Sequence, residues 1–175
     1  MPKEKKIATP WNVSRRATAK VKDPLPTPEK CNCCNSSAIE IVENSAVYNG
    51  KTYGKYPWVY LCTDCRAYVG LHPFTNIPLG TLANEEMRAA RKRAKSFFIP
   101  LYESGDIIRD EAYARLAKKL GIDEAACHFA MFDIALCKRA ERACVDIANE
   151  IANPPAPSSR KEGVMAAALR KLGFS

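Results

Sequence analysis

The chain has no run of about 18 consecutive apolar residues, the length a helix needs to span a bilayer, so no membrane-spanning helix is expected among its 175 residues. Its opening, MPKEKKIATPWN, lacks the apolar stretch of a secretory signal, and an intracellular protein is the expectation. There are only two histidines. No nucleophile with a paired base, no carboxylate cluster and no glycine-rich phosphate loop is visible, so an enzyme is not expected. What the chain does have is cysteine, eight in all. In a reducing compartment, closely spaced cysteines point to metal thiolates before disulfides.

Three of them crowd the stretch EKCNCCNSSA, and two more follow in LCTDC. Cys31 and Cys34 have the two-residue spacing that lets a knuckle aim both sulfurs at one metal, and Cys62 and Cys65 repeat it after 27 intervening residues. Cys33 lies inside the first knuckle, and a pair drawn through it, Cys31 with Cys33 or Cys33 with Cys34, is the alternative. Between the knuckles, AIEIVENSAVYNGKTYGKYPWVYLC reads as strand, turn, strand: Ile39, Ile41 and Val42, then the NGKTYG turn, then Tyr56 to Leu61. A hairpin that brings two knuckles together is the layout of a zinc ribbon. Four thiolates would close the site around one zinc ion with no position left for water, so the metal's expected role is structural.

The formal charge of +8 is unevenly placed. Residues 1–30 carry eight of the 27 basic residues against three of the 19 acids, which puts more than half the excess in an arm with several prolines and no periodicity. Alone, such an arm is expected to be flexible. Its cations, Lys3, Lys5, Lys6, Arg15, Arg16, Lys20 and Lys22, with Trp11 as a lone large aromatic, suit a phosphate backbone or an acidic protein surface.

Beyond the ribbon the pattern turns helical. Asn84 caps a helix that stops before Pro100, with Met87, Ala90, Ala94 and Phe97 on its apolar side and Arg88, Arg91, Lys92 and Lys95 on a basic one. A second helix runs from about Asp110 to Leu120 and stops at Gly121, and Asp123 caps a long third. Ala126, Ala130, Ile134, Cys137, Ala140, Cys144, Ile147 and Ile151 form its apolar stripe, which makes Cys137 and Cys144 small buried groups. The stretch AYARLAKKLGIDEAACHFAM also has a helix-turn-helix look, opposed by Asp123 and Glu124 at the start of the would-be recognition helix. His72 and His128 are a candidate polar cluster, with Cys127 or Cys137 beside them. NPPAPSS is a linker, and RKEGVMAAALRKLGFS has the pattern of a short basic amphipathic helix.

The runs CTDCRAYVGLHPFTNIPLGTLANEEMRAAR, DEAYARLAKKLGI and CHFAMFDIALCKR together resemble the zinc-finger-containing domain family found mostly in bacteriophage and prophage proteins, over roughly residues 31–145. The resemblance implies zinc at the four cysteines and a phage setting, in the cytoplasm of a host cell. Two departures stand out. The family's first knuckle usually reads CxxCG where this chain has Asn35, and a histidine near the end of the family's first helix is replaced around Lys95, so no second metal site carries over.

The expected architecture is α+β. A basic proline-containing arm (1–30) leads to a zinc ribbon (31–80), a three-helix module packed on it (81–152), and a linker with a short basic amphipathic tail (153–175). The expected function is that of a zinc-binding accessory protein whose arm and basic helix bind nucleic acid or a protein of a nucleic-acid-processing complex. The alternative is a protein-binding module that inhibits or remodels a host or phage complex without touching nucleic acid.

Overall fold

The computed structural model describes residues 8–154. Lys3, Lys5, Lys6 and the amphipathic tail lie outside the described residues. Within them, a three-stranded antiparallel sheet of order β1-β2-β3 is followed by helices.

Strands β1 (Ile39–Glu43) and β2 (Trp58–Cys62) pair in the register Ile39 with Cys62, Ile41 with Tyr60 and Glu43 with Trp58. Because side chains alternate across a pleat, Ile39, Ile41, Trp58, Tyr60 and Cys62 fall on one face. That face packs with Cys31, Ala67, Val69, Leu71 and Leu82 into the ribbon's core. Strand β3 (Tyr68–Gly70) extends the hairpin by pairing Val69 with Tyr60. It was not foreseen: three residues are too few for a pattern, and its place follows from the second knuckle turning the chain back along β2.

The arm is not free where it is described. Ser14 donates its N–H to the Phe74 carbonyl (2.9 Å) and caps the one-turn helix α1 (Arg15–Thr18), and the Trp11 ring meets the edge of Trp58 with centroids 5.0 Å apart. The expectation of a flexible segment overlooked these partners, which are remote in sequence.

Helix α2 (Glu85–Phe98) starts where expected, with Asn84 Oδ1 accepting from the Met87 N–H at 2.9 Å. Its buried line is Met87, Ala94 and Phe98, whereas Phe97 is 42% exposed. At 3.6 residues per turn, Phe98 lies only about 20° from Met87 around the axis, while Phe97 lies about 80° off on the other side. After a short turn, α3 (Pro100–Glu103), comes α4 (Arg109–Leu120), ended by Gly121 in the left-handed region at φ 68°. That conformation costs glycine nothing and stops the helix.

The long helix begins ten residues later than Asp123 implies. Residues Glu124–Ala126 and Phe129–Met131 are single 3-10 turns, and α5 (Ile134–Ala152) starts at Asp133, whose Oδ1 accepts from the Leu136 N–H. The reason is packing. Cys127, Phe129 and Phe132 are all buried, and on an α-helix the step of two would set Phe129 about 160° around the axis from Cys127, on the opposite side. Ala126 accordingly sits at the surface, while Cys137, Ala140, Cys144 and Ile147 are buried as the stripe requires. With no α-helix at residues 123–133 to act as a recognition helix, a helix-turn-helix is ruled out there. Helices α2, α4 and α5 enclose a second core, led by Phe98, Leu116, Phe132 and Ile147.

Ribbon and helices meet at the PLGTLA segment. Thr81 donates its N–H to the Ala130 carbonyl (3.0 Å), and a Cβ on Gly80 would run into that same oxygen. Gly80→Ala is therefore expected to destabilise the protein by about 1–3 kcal/mol, the usual cost of overpacking. Denaturant unfolding checks it; an unchanged midpoint would mean that the seam is looser than the contact implies.

Candidate metal centre

The two knuckles have the same backbone. In the first, the Asn35 N–H donates to the Cys31 carbonyl (2.7 Å) and the Cys31 N–H to the Ser36 carbonyl (2.8 Å). In the second, Arg66 donates to Cys62 (2.9 Å) and Cys62 to Ala67 (2.8 Å). Each turn closes with a residue in the left-handed region, Asn35 at φ 62° and Arg66 at φ 61°. This explains the departure from CxxCG: the position needs a positive φ, which glycine adopts freely and asparagine tolerates.

The hairpin sets the knuckles face to face. Sγ of Cys31 is 3.5 Å from that of Cys65, Sγ of Cys34 is 3.6 Å from that of Cys62, and all four sulfurs lie within 4.8 Å of one another. A tetrahedron of zinc–sulfur bonds of about 2.3 Å has edges of about 3.8 Å, so the residues present fit a zinc ion. Cys31 and Cys62 are buried, Cys65 is half-buried and Cys34 faces solvent. Cys33 is excluded from the cluster: its Sγ turns toward the Leu82 carbonyl (3.8 Å), while its backbone N–H points at Cys31 Sγ (3.4 Å).

The thiols respond unequally to this crowding. At Cys62, burial opposes ionisation, but the backbone N–H groups of Cys65 and Asp64 with the neighbouring thiols outweigh it and bring the group down to about 7. At Cys65, burial and the thiols of Cys34, Cys31 and Cys62 push it up to about 12. One thiolate is easy and the next is hard. A divalent cation removes that conflict by replacing the protons, and no other group of three or more metal-ligating side chains is found among the described residues.

The remaining site residues are dispersed. Arg91 does not project to solvent. It donates from Nε to the Phe132 carbonyl (2.8 Å) and from Nη1 and Nη2 to the carbonyl and hydroxyl of Thr81 (3.1 and 2.6 Å). Only about 40° around the helix from Met87, it belongs to the buried side, which the sequence-based basic stripe had not separated out. Arg88 donates to the Ala83 carbonyl and stacks its guanidinium 4.2 Å from the Tyr68 ring centre, while Lys92 and Lys95 are exposed. Arg15, Arg16, Lys20, Lys22 and Trp11 are exposed on the docked arm.

His72 and His128 line one groove of about 1020 Å³ between the arm, the 72–79 loop and the 123–131 segment. Cys127 and Cys137 are buried away from it among the helices, and burial pushes both thiols up, Cys127 to about 11. Burial also lowers His72, favouring its neutral form.

A family model described as a zinc-finger-containing domain matches residues 27–147 of the chain, a span that includes both knuckles. No curated protein and no solved structure matches it.

One zinc per chain is expected on elemental analysis. Cys62→Ser with Cys65→Ser should abolish it and Cys33→Ser should leave it unchanged. Because protons compete for the sulfurs, zinc should be released as the pH falls. Retention by the double variant would contradict the assignment.

Proposed function

This chain belongs to the zinc-finger-containing domain family, and from that premise we propose that it is a non-enzymatic accessory protein whose basic surface engages nucleic acid or a nucleic-acid-processing complex. The zinc site is closed, with four thiolates and no position for a substrate, so its part is architectural. The observation that carries the reading is the disposition of cations. Arg15, Arg16, Lys20, Lys22, Lys92 and Lys95 are exposed and take part in none of the salt bridges among the described residues, which use Arg93, Arg115 and Lys119. Unpaired surface cations are what a phosphate backbone attracts. The proposal extends to the phage setting that the sequence resemblance implies, with the protein acting in the cytoplasm of a host cell.

A second reading, a protein-binding module, is favoured by one feature. The groove beside the arm is lined mainly by apolar side chains, among them Val21, Leu25, Leu79 and Met131. A peptide of a partner complex would bury such a surface, and its binding would depend little on salt.

Gel shifts with single-stranded DNA, duplex DNA and RNA at two salt concentrations separate these readings. Replacing Arg15, Arg16, Lys20 and Lys22 by Gln, and in a second variant Lys92 and Lys95 by Gln, should weaken binding across all sequences. The salt slope should fall by about 0.9 per lost contact on a duplex and about 0.7 on a single strand. Arg91 is left intact, since its loss would disturb the seam. If the parent shifts none of the three at low salt, direct nucleic-acid binding is abandoned for the protein-binding reading.

A further inference from the structure

The loop between β1 and β2 is built to hold aromatic rings at the surface. Asn44, itself buried, donates from its side-chain amide to the Tyr53 carbonyl (2.7 Å) and accepts from the Tyr53 N–H (3.1 Å), fixing that residue at both backbone groups. The Asn44 N–H is held by the Pro57 carbonyl, the Gly50 N–H donates to Ser45 and the Lys51 N–H to Tyr48. Asn49 and Gly50 turn the tip with φ 52° and 80°. Yet the rings so fixed are left in the open: Tyr48 is 39% and Tyr53 55% exposed.

These rings belong to a row. Tyr53 meets Tyr48 at 5.2 Å between centroids, Tyr48 meets Tyr68 at 5.8 Å, and the Arg88 guanidinium lies over Tyr68 at 4.2 Å. From Arg88 the row passes along α2 to the exposed Lys92, one turn on, and Lys95. Lys51 stands in the loop itself, and Arg66, whose guanidinium donates to the Ala46 carbonyl, ties the second knuckle to the loop. Two carboxylates border the row: Glu40 lies across Leu61 from Tyr68, and Glu85 precedes Arg88 by three residues. The result is a narrow line of aromatic and cationic groups and not a broad basic field.

We propose that the Tyr53–Tyr48–Tyr68–Arg88 row, continued by Lys92 and Lys95, is a track for single-stranded nucleic acid. The proposal rests on the nucleic-acid reading above and names its site and ligand class. Exposed rings offer faces on which unpaired bases stack whatever their sequence, and cations alongside take the phosphates. A duplex keeps its bases stacked on one another and needs a wider positive surface, which the two carboxylates interrupt. Because the Asn44 pair already holds the loop in place, binding does not have to order it.

The test measures fluorescence anisotropy of labelled oligothymidylate, oligouridylate and a mixed-sequence duplex with the full zinc-loaded chain. Both single strands are expected to bind more tightly than the duplex. Tyr48→Ala with Tyr53→Ala should weaken single-strand binding roughly 10- to 100-fold with the salt slope unchanged. Tyr48→Phe with Tyr53→Phe should restore it, since stacking needs the ring and not the hydroxyl. If the alanine variant keeps its zinc and helicity and binds as the parent does, the track is wrong while the broader reading stands. If the parent binds no nucleic acid, both fall. Should the alanine variant lose its fold, photocross-linking of 5-bromouridine strands to the intact protein decides: adducts within residues 44–68 support the track, and adducts confined elsewhere overturn it.

Discussion

Four thiolates drawn to one divalent cation are the constraint on which the ribbon depends. The buried part of its core is Cys31, Tyr60, Cys62, Ala67, Val69, Leu71 and Leu82, and two of those seven are metal ligands. A patch so small returns little hydrophobic free energy against the entropy of ordering the chain, and small modules of this size usually need a metal or cross-link. Zinc supplies four bonds at once and joins segments separated by 27 residues. It also settles a charge conflict, since sulfurs 3.5 Å apart do not ionise together without a compensating cation.

Everything presented by the ribbon inherits its position from that cluster. The first knuckle leads into β1 and the second into β3, and between them the hairpin loop carries Tyr48 and Tyr53. The orientation passes on to the helices through a short seam. Gly80 allows the chain to approach Ala130, and Arg91 binds Thr81 and Phe132 together, so one guanidinium joins the segment leaving the ribbon to the segment entering α5. The cost of placing Arg91 in a half-buried site is met by hydrogen bonds to three acceptors. Trp11 and Ser14 lay the described part of the arm against the ribbon and the adjoining loop, and Arg15, Arg16, Lys20 and Lys22 are carried there on the folded domain.

Much of this was legible in the sequence because it is local. A CxxC knuckle is a turn of a few residues, so spacing points to Cys31, Cys34, Cys62 and Cys65, with a pair through Cys33 left as the alternative until its Sγ is seen to turn toward Leu82; the hairpin, the Asn84 cap and the Gly121 stop are local in the same way. Features decided by distant partners were not legible. Asp123 and Asp133 are equally good caps as letters, and only the burial of Cys127, Phe129 and Phe132 chooses the second. Arg91 looks like its basic neighbours until Thr81 and Phe132 are brought to it. The arm's composition implies freedom, which Trp58 and Phe74 remove around Trp11 and Ser14. The tyrosine row draws on three separate segments, and no periodicity connects them.

Hydrogen exchange on the zinc-loaded and zinc-stripped chain tests the central claim most directly. If the metal holds the ribbon, removing it should abolish protection at Val59–Cys62 and Tyr68–Gly70, whose amides belong to the sheet. Protection in α4 and α5, which pack with α2 in a separate core, should largely persist. Ribbon amides that stay as slow without zinc as with it would contradict the account, since the apolar core would then suffice without the four sulfurs.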